Sequence, residues 1–252
     1  MLFVRHALTA GMRGARFPTG EERADPSSLD KARRLAPMFT AGTVFAGRAA
    51  FAAPGPAAWE TAVALGFEPV VVPELAEPDH GRWRGLPYEE VAQADPESFA
   101  RWLTDPGAAP HGGESHADAA ARVVGWLETL RDAPRQDDHP HDPSPAASDP
   151  SPASSGRGPA VSGRGSAASD QSSVAAGPRP AGGAPGISRA GGSPERIVVV
   201  CDVGVVRAVL GHALGTDPLV AARFDLAPLS LTQVSAAREG WRIGYVNRKA
   251  SP

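Results

Sequence analysis

The chain has 252 residues, 25 basic against 28 acidic side chains, a formal charge of -3, 42% hydrophobic residues and a single cysteine, Cys201. Near-balanced charge excludes the basic field that nucleic acid requires. A lone cysteine excludes an internal disulfide and suits a reducing, cytoplasmic setting. No apolar run reaches the roughly 20 residues that cross a bilayer, and Arg5 interrupts the apolar start that a secretory leader would need. The expectation is therefore a cytoplasmic chain with one substantial core and no nucleic-acid or membrane partner.

In chain order, Leu2-Phe3-Val4 reads as a short buried strand that delivers Arg5, His6 and the small residue Ala7 at its carboxyl end. Ligands of open α/β sheets bind outside the carboxyl ends of the strands. A neutral imidazole there can attack phosphorus while a guanidinium fork holds the phosphoryl oxygens. Taken alone, these residues fit such a site and a chance Arg-His pair about equally. Leu29 to Phe39 carries apolar residues at helical spacing, Thr43 to Ala46 reads as a strand, and Trp59 to Leu65 as a helix ended by Gly66. Val70 to Val72 is a further strand. Tyr88 to Gln93 and Pro96 to Leu103 are short helices, and Ser115 is the N-cap of a helix running to about Arg131. Residues 134–194 are dominated by Pro, Ser, Gly, Ala and Asp, bury too little to offset ordering entropy, and read as a disordered insertion. The acidic and histidine tract at its start, residues 137–142, reads as solvated, so no metal site is expected. Folding resumes with the apolar strand Ile197 to Cys201, the helix Val205 to Leu214, and a hairpin-like pair, Leu229 to Ala236 and Trp241 to Val246. The alternation implies a three-layer α/β/α domain with a mostly parallel sheet, built from residues 1–133 and 195–252.

Several short motifs fall in one order. They are Arg5-His6-Ala7 with Thr9, Glu77 before Gly81-Arg82-Trp83-Arg84-Gly85, Gly112-Gly113-Glu114-Ser115, and Ile197 to Cys201 followed by Asp202 and Val205-Val206-Arg207. In this order the chain resembles the histidine phosphatase superfamily, also called phosphoglycerate-mutase-like. The resemblance implies that His6 is a nucleophile forming a phosphohistidine, that Arg5 holds the phosphoryl group, and that Glu77 protonates the leaving group. It places Thr9, Gly113, Glu114 and Ser115 around the substrate, a small phosphorylated metabolite, with no cofactor. A helix start such as Gly112 to Ser115 also offers backbone N–H groups to an anion, although plain helix capping explains the same residues.

Two departures accompany the matches. Asp202 stands where the family carries its second histidine. In the segment Pro56-Ala57-Ala58-Trp59-Glu60-Thr61-Ala62, Ala57 stands where it carries a second phosphate-binding arginine, and Arg48 sits too early to replace it. An ionised aspartate repels a phosphoryl dianion: two unit charges about 4 Å apart at a near-surface dielectric interact by about 4 kcal/mol. Losing a bidentate arginine acts in the same direction. Two functions follow: a histidine phosphatase of weak activity, or an impaired relative that binds rather than cleaves. His80, His111, His116 and His212 are read as exposed or satisfied, and Trp83 as core or pocket. Because loop length costs stability only logarithmically, replacing residues 134–194 by a short Gly/Ser bridge is expected to preserve cooperative thermal unfolding; its loss in a melting experiment would make the segment part of the core.

Overall fold

The computed structural model describes residues 1–39, 49–132 and 197–251. The expected strand at Thr43 to Ala46, Arg48, and the expected insertion at 134–194 lie outside these residues. The chain begins with β1 (Leu2–Arg5), the short helix α1 (Ala10–Arg13) and α2 (Pro26–Leu35), which a 3-10 turn extends to Phe39. Then come β2 (Ala49–Ala52), α3 (Pro56–Ala64) and β3 (Val70–Val71). The helices α4 (Tyr88–Ala94), α5 (Pro96–Thr104) and α6 (His116–Arg131) follow. Beyond them are β4 (Ile197–Cys201), α7 (Val203–Leu214), α8 (Pro218–Ala221), β5 (Ser230–Ala237) and β6 (Gly240–Lys249). β2, α1 and α8 were not anticipated. Each is only four residues long, too short for a periodic pattern to register.

One six-stranded sheet has the order β3-β2-β4-β1-β5-β6. The first four strands are parallel, and β5 and β6 join antiparallel. β4 lies between β2 and β1, and its residues Ile197–Cys201 are all buried, as a continuous apolar run requires of a strand covered on both faces. Its register against β1 pairs Val4 with Val200 and Arg5 with Cys201. The hairpin β5–β6 turns at Arg238-Glu239, close to where the turn residues put it.

The helices begin and end for identifiable reasons. The side chain of Ser115 accepts from the N–H of Asp118 and caps α6. α7 starts two residues earlier than the apolar pattern suggests, because Asp202 caps it. It ends at Gly215, whose φ of 62° is left-handed. Leu2, Phe3 and Val4 join Val198, Val199, Val200, Val205, Val209 and Leu210 in one apolar core. A second, aromatic cluster packs Phe17, Trp83, Val91 and Trp102 together, with Tyr88 and Phe99 against it. Trp83 is therefore core.

Two loops interlock through their backbones. The N–H of Arg82 donates to the carbonyl of His111, 3.0 Å, and that of Glu114 to the carbonyl of Asp79, 2.7 Å. The approach is so close that a Cβ on Gly113 would overlap the Asp79 carbonyl, and one on Gly81 (φ 47°) the His111 carbonyl. Replacing Gly113 by Ala is accordingly expected to cost about 1–3 kcal/mol through overpacking against rigid backbone, measured as a lowered denaturant midpoint; an unchanged midpoint would show that the loops part easily.

Candidate active site

The pairing of β1 with β4 brings together residues almost two hundred positions apart. The His6 N–H donates to the Cys201 carbonyl, 2.8 Å, so His6 and Asp202 leave the same edge of the sheet side by side. α3 supports this turn from the other side. The Ala7 N–H donates to the Thr61 hydroxyl, 2.9 Å, which in turn donates to the Ala57 carbonyl, 2.6 Å. Thr61 is fully buried and was quoted in the sequence only as part of a motif, not as a positioning residue.

His6 is almost completely buried, and its ring is fixed at both nitrogens. Nδ1 lies 2.7 Å from the Ala7 carbonyl, an acceptor only, so Nδ1 carries a proton. Nε2 faces Glu77 Oε1 at 3.6 Å. Burial alone would lower the His6 pKa, but the hydrogen bond and charge of Glu77 outweigh it, and the net direction is upward. With Nδ1 protonated, Nε2 is the ring nitrogen whose lone pair can be free, and it faces the Glu77 carboxyl.

A cavity of about 20 Å³ adjoins His6, Thr9, Glu22, Glu77, Ala57 and Asp202. That is little more than the ~10–15 Å³ that holds one water. Its ionisable lining is one imidazole against three carboxylates. Ala57 is buried against the wall, with its N–H donated to the Glu22 carbonyl, 3.0 Å. Asp202 borders both this cavity and a larger one of about 680 Å³, lined among others by His80, Tyr88, Trp102, His116 and Arg207.

Asp202 splits its oxygens. Oδ1 accepts from the N–H groups of Gly204 and Val205 and caps α7. Oδ2 is buried with no hydrogen-bond partner. Burial, reinforced by the charge of Glu77, pushes this carboxyl up to about 6 despite the nearby His6 and the two backbone donors. Burial likewise pushes the Cys201 thiol well up, so it behaves as a small hydrophobe.

Other expected site residues are placed differently. Arg5 turns its Nη1 to the Leu226 carbonyl, and Arg207 gives Nε and Nη2 to the Phe224 carbonyl, 3.0 and 2.8 Å. Both guanidinium groups thus pin the segment leading into β5. The Thr9 hydroxyl lines the small cavity but donates to Glu22 and caps α1. Gly113, Glu114 and Ser115 line neither cavity. The Gly113 N–H donates to His111 Nδ1, 3.0 Å, Glu114 is paired with Arg122, 2.7 Å, and Ser115 is occupied by its helix cap. Their polar groups have partners within the fold. His80 and His111 are not exposed: they are buried among Phe17, Trp83 and Trp102, with His80 Nδ1 and His111 Nε2 lacking partners. Burial first, and then His111 and His116, lower the His80 pKa to about 4, so that ring is neutral near pH 7. His212 is satisfied by Glu128 at 2.7 Å.

The family model of the histidine phosphatase superfamily (branch 1) matches residues 1–139 and 187–249. The chain belongs to the histidine phosphatase superfamily. Within it, a 70-residue stretch is 46% identical to a bifunctional protein of Mycobacterium tuberculosis, covering 26% of this chain but only 19% of that longer protein. A 75-residue stretch is 41% identical to phosphoserine phosphatase 1 of Hydrogenobacter thermophilus, covering 29% of this chain and 36% of that one. Mycobacterial glucosyl-3-phosphoglycerate phosphatase, solved with VO3, shares the fold with a TM-score of 0.65, 20% identity, and coverage of 99% of this chain and 98% of that chain. Among the described residues, no helix is long and apolar enough to cross a membrane.

The buried Asp202 carboxyl yields a stability test. Its pKa is raised on folding from an ordinary 3.8 to about 6, so the fold disfavours the ionised form. Stability from this group is present below the ordinary value, declines as pH rises between the two values, and stays reduced above about 6. Asp202→Asn keeps an Oδ1 acceptor for the α7 cap and removes the charge. It is expected to be more stable than wild type by about 1–3 kcal/mol at neutral pH and to lose most of that gain near pH 4, as measured by chemical denaturation. A variant destabilised equally at both pH values would assign Asp202 a capping role alone.

Proposed function

We propose that this chain hydrolyses a phosphomonoester of a small metabolite through a phosphohistidine at His6, with weak activity. One observation carries the reading: Nδ1 of His6 is held by the Ala7 carbonyl while Nε2 faces Glu77 at 3.6 Å. In the proposed sequence, Nε2 attacks phosphorus and the P–O bond to the alcohol breaks. Glu77 gives its proton to the departing oxygen and then takes one from the water that cleaves the phosphohistidine. Thr61 holds the Ala7 turn, and the Ala7 carbonyl orients the imidazole ring. Phosphatases among the relatives, including phosphoserine phosphatase 1, support this class of substrate.

Weakness follows from the anion site. The side chain at Ala57 provides no positive charge, Arg5 is committed to Leu226, and three carboxylates border the small cavity. The same lack of positive charge also favours a second reading, an impaired relative on the same scaffold that binds rather than cleaves.

A panel of phosphomonoesters assayed with wild type and His6→Ala separates the two readings. Turnover abolished by His6→Ala is the expected result, and equal residual rates in both would support the binding protein. Glu77→Gln sharpens the assignment. It is expected to lower kcat for alkyl phosphates by about 10²–10⁴-fold, and much less for aryl phosphates whose phenol leaves without protonation. A uniform loss across both leaving groups would deny Glu77 the general-acid role.

A further inference from the structure

Asp202 lines the cavity that adjoins His6, and its Oδ2 is a buried carboxylate oxygen to which no donor is offered. The groups acting on it come from every side: Arg5 and His6 from β1, Glu77 from the loop that precedes Gly81, Cys201 from β4, Arg207 from α7 and Arg122 from α6. The arginines are otherwise engaged, Arg5 and Arg207 with main-chain carbonyls and Arg122 with Glu114 and the Ala76 carbonyl. A dianion entering this space meets the charges of Glu77 and Asp202. Of the carboxylate oxygens there, Glu77 Oε1 already has His6 and Asp202 Oδ1 already has two N–H donors. Oδ2 has nothing to hold its charge, so it is where a proton is most easily accepted.

We propose that Asp202 is a proton-carrying member of the anion site: protonated at Oδ2 when an anion enters, it donates to that anion the hydrogen bond that the histidine of the family would give. The inference rests on the phosphoryl-site reading of His6 and deepens it. Binding then takes up a proton from solvent, and no covalent bond changes. The Oδ1 cap of α7 keeps the carboxyl oriented in both protonation states, so switching its charge does not require the helix to move. An aspartate serves here only in its acid form, so anion affinity is tied to pH in a way that a neutral histidine donor does not impose.

The test uses the full chain and sulfate, whose charge stays constant over the range examined, so that any pH dependence belongs to the protein. Calorimetry in two buffers of different ionisation enthalpy reads affinity and protons taken up together. For wild type, affinity is expected to fall by roughly tenfold per pH unit above about 6, with close to one proton taken up through Asp202 per sulfate bound. Asp202→Asn keeps the cap and presents a permanent amide donor. It is expected to bind sulfate more tightly than wild type near pH 8 and to take up one proton fewer. Asp202→Ser, another capping residue, should also take up one proton fewer and serves if the asparagine variant does not fold. His6→Gln is expected to retain the Asp202 share of the uptake. Unchanged uptake in Asp202→Asn with loss in His6→Gln would overturn the proposal, as would wild-type affinity independent of pH. Absence of sulfate binding at every pH would overturn the proposal and the phosphoryl-site reading together. pH-dependent sulfate binding without turnover of any phosphomonoester would uphold Asp202 as the proton carrier and overturn only hydrolysis.

Discussion

Parallel pairing of β1 with β4 is the constraint on which the site depends. With Val4 opposite Val200 and Arg5 opposite Cys201, the next residue on each strand, His6 and Asp202, must emerge at the same edge. The pairing is secured by burial: both strands are apolar and nearly inaccessible, and β2 closes the far side of β4 with its own parallel ladder. A one-residue slip would turn every side chain of a strand to the opposite face. It would break the packing of Phe3 or Val199 and move His6 away from the Thr61-supported turn. The site geometry is thus a by-product of core packing, and it persists whether or not the residues delivered there remain suited to chemistry.

What the pairing delivers is electrostatically lopsided. Among the residues lining the small cavity, the one group that can carry positive charge is His6, while Glu22, Glu77 and Asp202 line the same space. Arg5, the cation that the strand end supplies, is spent on the Leu226 carbonyl, and its Nε is buried without a partner. Arg207 is spent in the same way on Phe224. Both arginines hold the segment that carries the chain into β5, where Leu229 adopts a φ of 62° and returns its N–H to the Arg5 carbonyl, 2.9 Å. A residue type that elsewhere clamps phosphate here stabilises a strained connection.

Much of this was legible in the sequence, for physical reasons. Continuous apolar runs identified β1 and β4, and Ser115 and Gly66 marked helix ends, because burial and capping leave local signatures. Asp202 and Ala57 could be placed by motif order alone. What could not be read was how polar groups are shared. Nothing local indicates that Gly113 is pressed onto the Asp79 carbonyl, that Glu114 answers Arg122, or that Arg5 turns from the pocket, since each partner is distant in sequence. The buried state of His80 and His111 was missed for the same reason: their apolar surroundings are assembled from Phe17, Trp83 and Trp102, contributed by three separate segments.

The residues around the small cavity act in one direction: Glu22, Glu77 and Asp202 bring negative charge, and Ala57 brings no positive one. A phosphoryl dianion is the species this arrangement opposes most. A phosphomonoester monoanion carries its own proton and needs less positive charge around it. Its second ionisation, near pH 6, falls close to the value to which burial raises Asp202. Acid conditions therefore remove negative charge from ligand and pocket over one interval. Attack geometry at His6 does not depend on that interval through Nδ1, which the Ala7 carbonyl fixes throughout, but it does require Nε2 to be free of its proton. Acidity thus removes negative charge from Asp202 while the upward shift of His6 favours a proton on its ring. The protonations of His6 and Asp202 thus pull in opposite directions within one small space.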